Sequence, residues 1–415
     1  MECACIFEFL SNTYQRKLIK LSQNQTDNYE EALQCYMRLF VSHLKTYLNN
    51  YSKCEEKKVC KYNEFCQSVE KVIEGISESH IENFILSIKG IYIKWVDAKW
   101  NEALEELEDI LSKKKLLLFE LQTAHENLYF RGRTDSGILT KMDMFHIPFN
   151  KRYLIRNQRY SLTGQPLVYL GSSVIDIKEE IELKGYDDLK ISSVSILKQK
   201  KIYDFRNNIW NEVSNYYSKK LLDTGFDYEE RHFFKLIFAQ LCSFPKRKES
   251  NFCEEYVIPQ LFAHLLKKKE FEGIYYYSTK EFTDLEKGKE LNMEEIEKMY
   301  FVKENIALFT NFKEQEIYDD CLKQDLNISS PIQLSQITKI SKSDIERIFN
   351  EIELTGNREK IKKAEGLVNK YLIRYDSLSV DGNEFIKTDT GSLQMYLLYS
   401  VLNMILVEKE DESKR

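Results

Sequence analysis

Residues 126–136 read Glu-Asn-Leu-Tyr-Phe-Arg-Gly-Arg-Thr-Asp-Ser, and this stretch decides how the chain divides. Before it the sequence repeats at helical spacing; after it come short aromatic and β-branched runs separated by turn residues. It is one letter from a common engineered protease site. It nevertheless has Arg131 where that site needs Gln and runs on into patterned sequence, so it reads as native. Two arginines, Arg131 and Arg133, close an aromatic strand, each followed by a small or polar residue. What they are for is the question the stretch sets.

Working outward, residues 1–120 are expected to form a helical region. Leu33, Tyr36, Met37, Phe40 and Leu44 recur at three and four, as do Ile81, Phe84, Ile85, Ile88 and Ile91. No proline precedes Pro148, and Glu102 to Lys115 ends in a lysine cluster suited to a helix C-terminus. Residues 121–314 mix strand-like segments (NLYF, PLVYLG, KISSVSI, EGIYYYS) with helical stretches over Glu229–Phe244 and Glu254–Lys269. Such a mixture points to an α+β domain. Residues 315–415 return to helix and end in a short charged tail, 409–415. Within them Ile332, Leu334, Ile337, Ile340, Ile345, Ile348 and Phe349 faintly resemble a helix-turn-helix. Without a dense basic face they read instead as a small helical subdomain.

Bulk properties narrow the function. The chain has 415 residues and a formal net charge of −6, which gives no general attraction to nucleic acid or anionic membranes. The opening residues lack a signal peptide, and the longest apolar run, Tyr396–Val407, is too short to span a bilayer, so a cytoplasmic protein is expected. Nine cysteines fit reduced thiols. Cys54, Cys60 and Cys66, even with Cys3 and Cys5, do not match common zinc spacing, and no metal site is expected.

The middle region gathers Arg131, Arg133, Arg152, Arg156 and Arg159 among Tyr129, Phe130, Phe145, Phe149, Tyr153 and Tyr160. Arginine forks match phosphate oxygens and aromatic rings stack on flat heterocycles, so a nucleotide pocket is one reading. Strand-edge arginines over core aromatics is the other, and composition alone favours it.

The order of elements adds to this. The arginine ending an aromatic strand (Arg131), a strand ending Tyr-Leu-Gly with a carboxylate eleven residues beyond the tyrosine (Tyr169, Glu180), and the serine ending a G-I-x-Y-x-S strand (Ser278) occur in that order. The set resembles the RES-domain family over residues 126 to 312. His146-Ile-Pro-Phe149 and Pro259-Gln260 resemble a long-chain subgroup in which a helical HEPN-like domain comes first. Where many members have Gly-Arg-(Phe/Trp)-Asn, this chain has Gln158-Arg159-Tyr160-Ser161, and Glu179 is an adjacent rival to Glu180.

The resemblance implies a mixed sheet related to ADP-ribosyltransferases and an enzyme that degrades NAD⁺, often by phosphorolysis, in toxin or anti-phage settings. It implies catalytic roles for Arg131, Glu180 and Ser278. Arg133, Tyr169, Arg159 and Tyr160 are then expected to bind substrate. No bound cofactor is implied: NAD⁺ is consumed, with inorganic phosphate as co-substrate. An inhibitory or activating protein partner and a homo-oligomer stay open; a membrane or nucleic-acid partner is not expected. Three alternatives stand beside it: a HEPN-type ribonuclease using Arg38 and His43 (Arg-x4-His), a non-enzymatic sensor, and an ADP-ribosyltransferase.

Overall fold

The computed structural model describes residues 6–52, 62–122, 128–135, 137–162, 164–183, 188–206, 228–247, 252–280, 299–376, 378–380 and 383–408, with isolated positions between 209 and 217. Cys3, Cys5, Cys54, Cys60 and the tail 409–415 lie outside the described residues.

The first region is helical: α1 (Ile6–Leu10), α2 (Asn12–Asn24), α3 (Tyr29–Ser52), α4 (Asn63–Glu74), α5 (Glu78–Val96) and α6 (Trp100–Lys113). Ser11 and Ser77 start α2 and α5 by accepting the amides of Tyr14 and His80, which satisfies donors that no helical carbonyl can reach. The periodic residues Leu33, Tyr36, Phe40 and Leu44 are buried, and so is Cys66. Their apolar stripe packs on the middle region. Phe84 meets Phe234 at 4.9 Å and Phe40 meets Phe233 at 6.0 Å between ring centroids. One continuous core therefore joins these helices to the helices Glu230–Leu241 and Val257–Lys268.

Eight strands form one mixed sheet: β1 (Glu120–Gln122), β2 (Leu128–Thr134), β3 (Leu167–Gly171), β4 (Leu189–Ile196), β5 (Lys201–Asp204), β6 (Gly273–Tyr277), β7 (Glu304–Phe309) and β8 (Leu326–Ile328). Their order is β1-β5-β6-β7-β3-β2-β4-β8; β5 and β6 run parallel and the other neighbours antiparallel. The chain is thus α+β, as the texture change near residue 126 implies. β2 pairs with β4 along its whole length, from Leu128↔Ser195 to Thr134↔Leu189. With β3 it shares a single register pair, Phe130↔Gly171. The sheet therefore parts between β2 and β3 just where Arg131 follows Phe130.

Helix α7 (Val174–Glu180) follows β3 directly and lies across this parting. Two glycines admit it. A Cβ on Gly132 would stand 2.3 Å from Ile177 Cγ2, and one on Gly171 would stand 2.9 Å from Ile177 Cδ1. The Arg-Gly-Arg of β2 thereby makes sense. Strand alternation puts both arginines on the face opposite Gly132, and the glycine leaves room for the helix.

The last region packs helices Lys342–Leu354, Arg358–Val368 and Asp389–Val407 against α7 and β2. Ile345, Ile348 and Ile352 are buried there, in keeping with a packing subdomain. Asp389–Val407 contains the long apolar run; among the described residues it alone is long and apolar enough to cross a membrane, and most of it is buried.

Candidate active site

At the parting of the sheet lies a cavity of about 340 Å³. β2 contributes Arg131, β3 contributes Tyr169, and α7 contributes Glu180. The turn after Ile155 adds Asn157, Gln158 and Arg159, while β6 and β7 add Tyr276 and Asn305. Four of the seven residues singled out in the sequence, Arg131, Arg159, Tyr169 and Glu180, line it directly. Ser278 is fully buried beneath, and its hydroxyl donates to Glu180 Oε1 at 2.6 Å. The same oxygen accepts from Asn305 Nδ2 at 3.2 Å.

Arg131 is held where β2 and β3 diverge. Its guanidinium donates to the carbonyls of Tyr169 (2.8 Å) and Phe145 (3.1 Å), but its Nε is buried with no hydrogen-bond partner. Burial, with the neighbouring Arg133 charge, pulls its pKa down to about 9. It stays cationic at neutral pH. An anion entering the cavity would relieve that strain, since a buried cation without a counter-charge is costly.

Arg159 has less to offer a ligand. Its Nη1 donates to the carbonyls of Cys242 (2.6 Å) and Phe244 (3.1 Å), and its Nη2 to Thr279 Oγ1 (3.0 Å), so it ties the 242–244 turn to the pocket wall. Tyr169 presents its ring to the cavity while its hydroxyl meets Ser161 Oγ at 3.0 Å and accepts the Tyr160 amide at 3.3 Å. Arg133 lies outside the cavity, reaching the Phe145 carbonyl at 3.4 Å. Tyr160 is buried behind the wall, its ring 4.7 Å from that of Tyr276.

Sequence reasoning missed Asp176, Asn305 and Tyr276. Asp176 sits one turn before Glu180 on α7 and is completely buried. Burial, then the charge of Glu180, hold its carboxyl well above the usual range. The Lys303 charge, then nearby Ser278 and Asn305, offset this in part, and neither oxygen of the carboxyl has a hydrogen-bond partner. Two carboxyls at i and i+4 were a legible signal that they share a helix face. Tyr276 was legible too, two residues before Ser278 on an alternating strand.

The first region reaches this site. Arg16 of α2 donates to the carbonyl of Ser278 and, at 3.3 Å, to that of Lys280, with its guanidinium 5.2 Å from the centre of the Tyr300 ring. Gln23 and Arg247 bridge the same two regions, Gln23 to the Pro245 carbonyl and Arg247 to the Thr26 carbonyl.

Arg38 and His43 both fall on α3 but do not converge. His43 Nδ1 meets the Tyr14 hydroxyl at 2.5 Å beside a shallow hollow that Arg38 does not line. Five helical residues place two side chains about 140° apart, so the pair does not share a face. His146 is structural: its Nε2 accepts the Asp319 amide at 2.9 Å, and burial lowers its pKa.

No family model matches the chain, and no solved structure matches it. It is similar to a protein of Bacillus subtilis (strain 168) described as "Putative toxin YopC", with 27% identity over 354 residues, covering 80% of this chain and 73% of that one.

Proposed function

We propose that this chain is a RES-type toxin effector that degrades NAD⁺ by breaking the bond between nicotinamide and ribose, on an ADP-ribosyltransferase-like sheet. One observation carries the reading. Of Arg131, Tyr169, Glu180 and Ser278, scattered over nearly 150 positions and gathered by family resemblance, the first three line one cavity and Ser278, buried beneath it, donates to Glu180. The similarity to a protein described as a toxin supports the setting.

The chemistry suits these groups. The leaving group is a pyridinium: the C1–N bond breaks, its electron pair stays with nitrogen, and neutral nicotinamide departs without needing a proton. What the site must supply is a held substrate and a negative partner for the oxocarbenium-like ribose. Arg131 grips phosphate oxygens, Glu180 faces the developing positive charge, and Ser278 with Asn305 fixes the Glu180 carboxylate. Tyr169 shapes the nicotinamide side. An oxygen of phosphate dianion then forms the new bond to C1, giving ADP-ribose-1″-phosphate; water would instead shed a proton to solvent and give ADP-ribose. We favour phosphate, because Arg159 and Lys280 line the cavity beside Arg131 and give a second anion cationic neighbours.

The test is to incubate purified protein with NAD⁺, with and without inorganic phosphate, and resolve the products. Glu180→Gln should lose ~10²–10³-fold in rate and remain folded. Intact NAD⁺ under both conditions, with cell extract added to supply a partner, would overturn the reading. A Glu180→Gln variant as fast as its parent, beside an inactive Glu179→Gln, would move the role one residue.

A further inference from the structure

Behind Tyr160, on the far side of the wall from the site above, lies a second cavity of about 200 Å³. Arg152 and Lys267 line it together with His264, Phe149 and Phe312, and among the described residues no Asp or Glu does. We propose that this cavity binds a small phosphate-bearing anion.

Arg152 lies over two aromatic faces, 4.1 Å from the centre of the Phe312 ring and 5.3 Å from that of Phe149. A guanidinium carries its donors in its own plane, in a fork that can pair with two oxygens of one phosphate. Its Nε is buried without a hydrogen-bond partner. Lys267 enters from the helix Val257–Lys268, half-buried, with its ammonium on the Thr310 carbonyl at 2.5 Å. Burial lowers its pKa, opposed by Asp319, which lies outside the lining. Two cations thus line one small cavity that no carboxylate among the described residues lines, where burial of the Arg152 Nε and of Lys267 favours an incoming anion.

Phe312 is 56% exposed, so its ring also offers a flat face to a base attached to the phosphate. Inorganic phosphate and a nucleoside monophosphate share the recognised group. Occupancy would be felt at the first site. Tyr160 lines this cavity, its ring packs on Tyr276 and its amide donates to the Tyr169 hydroxyl.

The full-length Arg131→Ala variant, disarmed at the first cavity, is titrated by calorimetry with inorganic phosphate and with adenosine 5′-monophosphate. One site per chain is expected. Adding Arg152→Ala or the milder Lys267→Gln, with folding checked by circular dichroism, should weaken it at least about tenfold, since each removes a charge-assisted contact. Phe312→Ala separates the sources: a loss confined to the nucleotide marks a stacked base, and an unchanged titration marks recognition of phosphate alone. The proposal fails if Arg131→Ala binds neither ligand, or if Arg152→Ala and Lys267→Gln titrate as their parent does. Neither result bears on NAD⁺ cleavage, which is read separately.

Discussion

Substituting Gly132 by alanine tests how the site is built. The new methyl would stand 2.3 Å from Ile177 Cγ2, 2.9 Å from Ile181 Cδ1 and 3.1 Å from Leu189 Cδ1. Carbon atoms rest at about 3.5–4.0 Å, so the contact with Ile177 alone needs roughly 1.2 Å of movement. A β-branched residue in a helix has one favoured rotamer, so Ile177 has little freedom to turn aside. The backbone of α7 must therefore lift from β2, carrying Glu180 with it. Overpacking of this kind costs about 1–3 kcal/mol, and a displacement near 1 Å at a reacting group costs ~10²-fold in rate. Thermal unfolding followed by circular dichroism reads the first effect and NAD⁺ loss the second. Ile177→Ala removes the clashing methyl, so the double variant should be more stable than the sum of the two single effects by about 0.5–3 kcal/mol. A Gly132→Ala protein as stable as its parent, with strictly additive behaviour in the pair, would show that α7 is not seated on the strand.

Two further outcomes follow from buried groups around the cavity. Asp176 has its folded-state pKa raised, by burial first and Glu180 second, so its share of stability is full below the unfolded carboxylate value and is lost as pH rises through the folded one. Asp176→Asn mimics the protonated acid, and its unfolding free energy should gain on that of the wild type as pH rises above the unfolded carboxylate value, by up to about 1.4 kcal/mol per pH unit; a constant gap would mean the carboxyl is not held neutral. Arg16→Ala removes the donors to the Ser278 and Lys280 carbonyls. If NAD⁺ cleavage is the activity, kcat should fall ~10-fold or more, as for loss of a charge-assisted hydrogen bond, with KM little changed and Arg16→Lys recovering part of it; a change in KM alone would assign Arg16 to substrate binding.

What the sequence disclosed follows from which signals are local. The helices of residues 6–113 and the strands β2, β3, β4 and β6 announce themselves through period and β-branched content, whereas Glu180 on α7 was reached only through the family resemblance that sets a carboxylate eleven residues beyond Tyr169. Strands β1, β5, β7 and β8 carry no such mark. β7 (ENIALF) is buried throughout, and a short apolar run in a sheet interior has no polar face to betray its period. Asn305 was invisible for that reason, because its place beside Glu180 depends on the pairing of β7 with β3 and β6. The readings of Arg133, Arg159 and Tyr160 show another limit. Proximity in sequence put all three near the phosphate grip, yet Arg133, on the same face as Arg131 but two residues further along β2, reaches only the Phe145 carbonyl outside the cavity, and the carbonyls of Cys242 and Phe244 engage Arg159. Periodicity also cannot say whose core an amphipathic helix completes. The apolar stripe of α3 would look the same in a free-standing bundle. Here it closes over the helix Glu230–Leu241, and that shared core is what lets Arg16 of α2 reach the carbonyl of Ser278. Any partner that loosened the first region would therefore act on the serine that holds Glu180, at a distance of one arginine.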